Sequence, residues 1–313
     1  MKAATIRDEQ VVLEEHPDPV AGKGEVLVRV RAAGLNGGDV SQRRGRYPAP
    51  PGWPQDIPGM EVAGEVAELG PGSERFAPGD RVMAVVGGGG QAELLAVQER
   101  LLMPVPDELD WAQAGGLPEV FTTAHDALFS QAGLRSGERL LVHGGAGGVG
   151  TAAIQLALAA GASATATVRV AELREAVAEL GAEAIGCEDF AQFGPFDVVL
   201  ELVGAPNLTE NLQALATGGR ISVIGVGAGA KAELNLLALM GKRARLFGST
   251  LRARSLEEKA LTARRLEHHV LPLFDRGELR VVVAETFPLE RAAEAYAHFE
   301  AGAKLGKVVI TIG

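Results

Sequence analysis

The residues of this 313-residue chain whose spacing most clearly implies chemistry are glycines. In the stretch RLLVHGGAGGVGTAAIQLALAAG, residues 139–161, Gly145, Gly147 and Gly150 form a G-x-G-x-x-G pattern between an aliphatic run and an alanine-rich helical pattern. Each glycine has a mechanical reason: a tight turn, close approach of backbone to a pyrophosphate, and close contact between helix and strand. Backbone N–H groups along Gly145, Ala146, Gly147, Gly148 and Val149 then face the phosphates at the start of a helix. The expected ligand is a dinucleotide.

The end of the next strand, in SATATVRVAELREA, bears on which dinucleotide. An NAD site places a carboxylate there to accept from the adenine ribose hydroxyls, and a carboxylate repels a 2′-phosphate. This strand ends Thr167-Val168-Arg169, and a guanidinium binds a phosphate and stacks on adenine. NADPH is therefore expected, with Thr167 and Arg169 in its site. The alternatives are that Arg169 only solvates a helix start and that Glu172 makes the site one for NAD. At the ends of later strands, Val203, Gly204 and Gly225 are expected to border the nicotinamide ribose, although glycine there is also turn chemistry.

Other chemistries are disfavoured by composition. The net charge of −10, without a Lys/Arg block, repels polyanions and gives no footprint for nucleic acid. The amino-terminal MKAATIRDEQVVLEEH becomes charged before an apolar region develops, and no apolar run is long enough to span a bilayer, so no membrane association and a cytoplasmic location are expected. A single cysteine, Cys187, excludes an intrachain disulfide and a Cys-rich zinc site. His268 and His269 are adjacent and point in different directions on a helix; His125 and His143 read as structural.

The elements that must position the glycine loop follow from texture. Up to about residue 116 the chain reads as short strands punctuated by glycine and proline, a barrel-like β segment. Within it RRGRYPAPPGWPQDIPG, residues 43–59, is too rich in proline for regular structure but suits a shaped surface loop. From residue 117 apolar strands alternate with helical patterns, which implies βαβ units and a parallel sheet. After residue 279 the β texture returns. The expected organisation is a discontinuous β-rich domain, 1–116 with 280–313, around a doubly wound dinucleotide-binding domain, 117–279.

GERLLVHGGAGGVGTAAIQ resembles the signature of the zinc-independent medium-chain reductases of the zeta-crystallin type, the NADPH:quinone oxidoreductases. GGGGQAELLAVQERLLMPVPDEL and GSTLRARS are similar to the tumour-suppressor-induced quinone oxidoreductase branch. The resemblance implies an α/β fold with a GroES-like domain, a Rossmann domain, a cofactor cleft between them, and a homodimer formed through the Rossmann sheet edge. It also implies roles for individual residues. Asn36 and Tyr47 line the acceptor site, Asn36 as an amide donor and Tyr47 as a hydroxyl and an aromatic wall; Gln42 and Asp39 are weaker candidates. Thr123 lies beside the nicotinamide, Ser249, Thr250 and Leu251 contact its carboxamide, and Arg252 closes over the phosphates. Lys307 matches a position near the cofactor, or is a solvated lysine at a strand start. Three features depart from the family: Glu172 and Leu173 stand where a lysine is common, no tyrosine lies near Cys187, and Gly147 replaces a serine.

GMEVAGEVAELG, residues 59–70, keeps the spacing of the zinc alcohol dehydrogenases' G-H-E-x-x-G motif, but Met60 replaces the histidine. Leu35 and Asn36 stand where those enzymes place a cysteine. A three-ligand catalytic zinc is not expected. Hydride addition to a simple ketone leaves a localised alkoxide, which needs a Lewis acid or a positioned proton donor. A quinone or an enone spreads the charge, so a few hydrogen-bond donors suffice, each worth ~3 kcal/mol in a dry site. The expected activity is metal-free, NADPH-dependent quinone reduction. The alternatives are an enone or enoyl reductase using the same site, and a non-catalytic nucleotide-binding or structural protein.

Overall fold

A two-residue turn with both residues left-handed, Asp8 and Glu9, opens the chain by folding β1 (Lys2–Arg7) back on β2 (Gln10–Glu15) as an antiparallel pair. The twist of such a turn matches that of the strands it joins. There follow β3 (Glu25–Leu35), α1 (Gly37–Arg43), β4 (Glu61–Leu69), β5 (Arg81–Val85), β6 (Leu94–Gln98), β7 (Met103–Pro104), α2 (Trp111–Gly116) and α3 (Pro118–His125). Next come β8 (Arg139–His143), α4 (Gly148–Ala159), β9 (Ser163–Thr167), α5 (Arg174–Ala178), β10 (Glu183–Ile185) and β11 (Phe196–Glu201). They lead to α6 (Leu208–Ala214), β12 (Leu215–Val223), α7 (Leu236–Lys242) and β13 (Arg245–Gly248). The chain ends with α8 (Leu256–His269), α9 (Leu271–Asp275), β14 (Val283–Pro288), α10 (Ala292–Ala301) and β15 (Lys307–Thr311). The computed structural model describes residues 1–313.

Two compact units emerge: residues 1–122, 251–302 and 307–313 form the first, and 123–250 with 303–306 form the second. The sheet of the first runs β14-β15-β3-β4-β5-β7, with β6 also paired to β3. It is antiparallel except between β14 and β15. Along β3 the side chains of Val26, Val28 and Val30 alternate into the core, the period of two that sequence reading relies on.

The second unit is a wholly parallel sheet in the order β10-β9-β8-β11-β12-β13. Leu140, Leu141 and Val142 of the central β8 are buried, as helix-covered parallel strands require. From β8 the chain builds outward to β9 and β10, then returns to place β11 on the other side. The reversal opens a crevice at the carboxyl ends of these strands, the place where such sheets take ligands. The fold is thus the expected GroES-like domain with a Rossmann sheet. The expected second segment, 117–279, is divided differently: α8 and α9 cluster with the first unit. Their helical periodicity specifies an apolar face but not the partner that covers it. A capping box, Ser255 with Glu258, fixes where α8 starts.

Candidate active site

In the second unit, β8 ends in Gly144, whose φ of +73° turns the chain toward α4. A Cβ on Gly145 would lie 2.6 Å from the Ala166 methyl of β9, and one on Gly150 would lie 2.4 Å from the Gly144 carbonyl oxygen. These two glycines are demanded by packing. Gly147 is different, since a Cβ there would meet only the Gly144 oxygen at 3.4 Å. Its open side adjoins the first turn of α4, whose leading N–H groups have no intrahelical acceptor and no side-chain cap. Partial positive charge, free donors and open space coincide there, an arrangement that fits a pyrophosphate.

A feature absent from the sequence reading lies on the same turn. The Gly306 N–H donates to the Ala146 carbonyl at 2.8 Å, and Gly306 pairs with Gly147 in an isolated parallel bridge. Residues 303–306 thereby belong to the glycine turn. The pairing spans about half the chain, so no local motif announces it.

Beneath the turn runs a directed chain of buried hydrogen bonds. The Gly144 N–H donates to Thr167 Oγ1 (3.3 Å), which pairs with His143 Nδ1 (3.1 Å). His143 Nε2 meets Asn211 Oδ1 (2.7 Å), and Asn211 Nδ2 donates to Glu201 (2.7 Å). Because the Asn211 nitrogen donates to a carboxylate, its oxygen must accept, which puts the imidazole proton on Nε2 and makes Nδ1 the acceptor for Thr167. Burial lowers the His143 pKa and keeps the ring neutral. Glu201 in turn accepts from the N–H groups of Val203 (2.7 Å) and Gly204 (2.8 Å). Thr167, Val203 and Gly204, expected at the cofactor, therefore have these polar groups engaged with the chain itself. Gly225 is likewise held by packing, a Cβ there falling 2.3 Å from the Leu202 oxygen.

At the end of β9, Arg169 and Glu172 are both exposed. Arg174 joins them: its Nε donates to the Val168 carbonyl at 3.4 Å, and its guanidinium passes close to Gly186. A second cation, five residues after Arg169, is the feature that the sequence reading passed over. Thr123 is buried, and the Ser249 hydroxyl lies 3.3 Å from the Asp126 carboxylate. The chain leaves the second unit between Thr250 and Leu251, so Leu251, which is buried, and Arg252 belong to the first.

The first unit carries a closed polar cluster. Glu61 Oε1 accepts from Lys307 Nζ (2.6 Å) and Asn36 Nδ2 (2.9 Å), while Oε2 accepts from the Glu119 N–H (2.8 Å). Lys307 also donates to Asn36 Oδ1 (2.7 Å) and the Leu35 carbonyl (2.9 Å), which accounts for all three ammonium hydrogens. Asn36 Nδ2 makes its second bond to the Gly34 carbonyl at 3.2 Å. Both amide hydrogens of Asn36 are engaged, which corrects its expected role as a free donor to an acceptor. For Lys307 the solvated reading is corrected: it is 3 % exposed and paired with Glu61. Glycine at 34 permits the cluster, since a Cβ there would come 2.2 Å from Glu61 Oε1.

Asp39, on α1, is fully buried and accepts from the N–H groups of Asn36 (2.8 Å) and Gly59 (2.9 Å). Burial outweighs these bonds and pushes its pKa up to about 6. Arg252 donates from Nε to the Gly87 carbonyl (2.8 Å), from Nη1 to the Tyr47 carbonyl (2.8 Å) and from Nη2 to Gln42 Oε1 (2.5 Å). Gln42 Nε2 donates to the Gln55 carbonyl at 2.9 Å. Arg252 and Gln42 are thus engaged with the chain itself, Arg252 instead of phosphates and Gln42 instead of an acceptor. Of the candidates in this unit, Tyr47 keeps a half-exposed aromatic ring.

Comparison with known proteins follows this geometry. Residues 22–107 match the family described as the alcohol dehydrogenase GroES-like domain, and residues 180–310 match that described as zinc-binding dehydrogenase. A quinone oxidoreductase of Rattus norvegicus is 31 % identical, the match covering 94 % of this chain and 91 % of the rat protein. Among solved structures, a quinone oxidoreductase of Pseudomonas syringae superposes with a TM-score of 0.89 at 27 % identity, over 99 % of this chain and 100 % of that one. A mycobacterial protein complexed with NADPH superposes with a TM-score of 0.88 at 27 % identity, with the same coverage.

The second family description raises the question of zinc. At the matching motif Met60 is buried with a thioether in place of an imidazole, and both oxygens of the neighbouring carboxylate, Glu61, are engaged, by an ammonium, an amide and a backbone N–H. A divalent cation would have to displace Lys307 and tolerate its charge at close range. This donor set does not fit a catalytic zinc.

Proposed function

Because the chain belongs to the medium-chain dehydrogenase/reductase family and is an NAD(P)-dependent oxidoreductase of that type, we propose that it oxidises NADPH and reduces quinones without a metal. The observation that carries this reading is the Lys307–Glu61 ion pair beside Met60, where a metal-dependent relative would need open ligands. Bound NADPH supplies a hydride. The chain's own residues supply binding and orientation. The open face of Gly147 and the α4 amino terminus hold the pyrophosphate, and Arg169 with Arg174 meets the 2′-phosphate through charge-assisted bonds that a ribose hydroxyl cannot match. On the acceptor side, Tyr47 offers the flat face of its ring. A quinone, whose two carbonyls share the arriving charge, needs less stabilisation there than a simple ketone.

A homodimer is part of the same reading. β13 is an edge strand with one side unpaired, and α7, the helix preceding it, leaves Leu236, Leu237 and Met240 between 63 and 76 % exposed. An edge and an apolar patch side by side invite a second copy. No helix is long and apolar enough to cross a membrane.

Steady-state oxidation of NADPH and NADH against a panel of quinones and alkenals tests the proposal. Turnover with 9,10-phenanthrenequinone exceeds that with alkenals, and Arg169→Glu raises the KM for NADPH roughly tenfold while affecting NADH less. Fast alkenal turnover without any quinone turnover would replace the reading with an enone reductase. Nucleotide binding without turnover of either would replace it with a non-catalytic role.

A further inference from the structure

Arg252 is the largest side chain withdrawn from solvent, 1 % exposed. It joins three separate segments: α1 through Gln42, the proline-rich loop through the Tyr47 carbonyl, and the glycine run 87–90 through the Gly87 carbonyl. Its guanidinium carbon also lies 5.0 Å from the centroid of the Tyr47 ring. We propose that Arg252 is a positioning residue that sets acceptor specificity, by holding the Tyr47 ring and the loop 43–59 as one preformed flat wall. The inference rests on the reading of Tyr47 as the acceptor's wall.

Pro48, Pro50, Pro51, Pro54 and Pro58 have no N–H to donate, so backbone bonds tie the loop mainly at its far end, where the carbonyls of Asp56, Ile57 and Pro58 accept from Ile6, Gly89 and Gln91. Within residues 47–55 only the Trp53 N–H to the Pro50 carbonyl (3.2 Å) does so, and side chains supply the rest. One tie is internal: Gln55 Nε2 donates to the carbonyls of Ala49 (3.1 Å) and Trp53 (2.9 Å). Gln42 Nε2 holds the Gln55 carbonyl from α1, and Arg252 reaches in from a distant part of the chain to hold the Tyr47 carbonyl. Gly87 links this tie to Trp53, because a Cβ on Gly87 would fall 2.5 Å from the indole ring. The indole therefore lies directly on the backbone whose carbonyl Arg252 grips. A planar fork is needed for this, since only guanidinium can serve three acceptors in different directions while laying its face on an aromatic ring. Lysine keeps the charge and loses both the fork and the face.

Preformed walls matter most to ligands that use their whole area. A tricyclic quinone loses affinity when the wall becomes mobile, because binding must then order it. A monocyclic benzoquinone covers less of the wall and loses less. The hydride step is unaffected once either acceptor is seated.

The test uses two readouts in a Trp111→Phe background, which leaves Trp53 as the sole tryptophan. Arg252→Lys is expected to raise the KM for 9,10-phenanthrenequinone about tenfold, with kcat and the benzoquinone KM within about twofold. Acrylamide quenching of Trp53 in the cofactor-free protein is expected to rise about twofold as the loop loosens. Arg252→Met, which removes the guanidinium fork without leaving a buried charge, shows the same changes and decides the matter if Arg252→Lys does not fold. Unchanged Trp53 quenching in the folded variants, or equal shifts for large and small quinones, overturns the role given to Arg252. A parent protein that turns over no quinone overturns the functional reading and the specificity claim with it; altered Trp53 quenching would then mark Arg252 as a structural tie only.

Discussion

Asp39 shows how a single buried carboxyl couples this fold to pH. Its folded pKa of about 6 lies above its ordinary value of 3.8, so the folded chain binds this proton more tightly than the unfolded chain. The stability tied to it is fully present below the unfolded value and is lost as pH rises through the folded one. About two pKa units correspond to ~3 kcal/mol at neutral pH, an order of magnitude for a fully buried group. Urea unfolding of the parent and Asp39→Asn at about pH 5 and about pH 7.5 measures it: the gap between the two proteins shifts by ~1.4 kcal/mol in favour of the variant at the higher pH. Parallel stabilities would remove the assignment. At this scale the sequence shows residue types but not partners. Met60 in the place of histidine is visible in one short motif. That Lys307 would occupy both Asn36 and Glu61 is not visible, because the lysine lies 271 residues from Asn36 and enters the cluster only when β15 pairs with β3.

Among the elements, the strand-turn-helix carrying the glycines was the most legible, because its pattern, flanking strand and following helix are contiguous. The structure adds a division of labour that the pattern alone does not show. Gly150→Ala places a methyl 2.4 Å from a backbone oxygen that cannot move without shifting β8 from α4. Overpacking of this kind costs ~2 kcal/mol or more. Gly147 has φ of −76°, open to any residue, and free space beside it, so Gly147→Ala stays within ~0.5 kcal/mol of the parent. Chemical denaturation of the two variants checks this, and equal losses would contradict it. That α8 and α9 belong to the first unit was not legible. Amphipathic spacing predicts burial, and the covering surface is chosen by tertiary contacts far away in sequence.

For the whole molecule, the alternation of textures announced a β-rich unit interrupted by a parallel one, because periods of two and of 3.6 are local properties. The proposed homodimer rests on surface chemistry: with apolar side chains of α7 beside an unpaired edge, the parent is expected to sediment as a dimer and Leu237→Glu as a monomer in analytical ultracentrifugation, and an unchanged mass would place the interface elsewhere. In the proposed reaction a buried ammonium neutralises the carboxylate of the former metal motif, and the acceptor delocalises the electrons that a metal would otherwise stabilise. The most direct test is NADPH oxidation with 9,10-phenanthrenequinone after exhaustive dialysis against a chelator, with metal content measured on the same sample. Full turnover by metal-free protein is predicted. Loss of turnover that stoichiometric zinc restores would contradict the account.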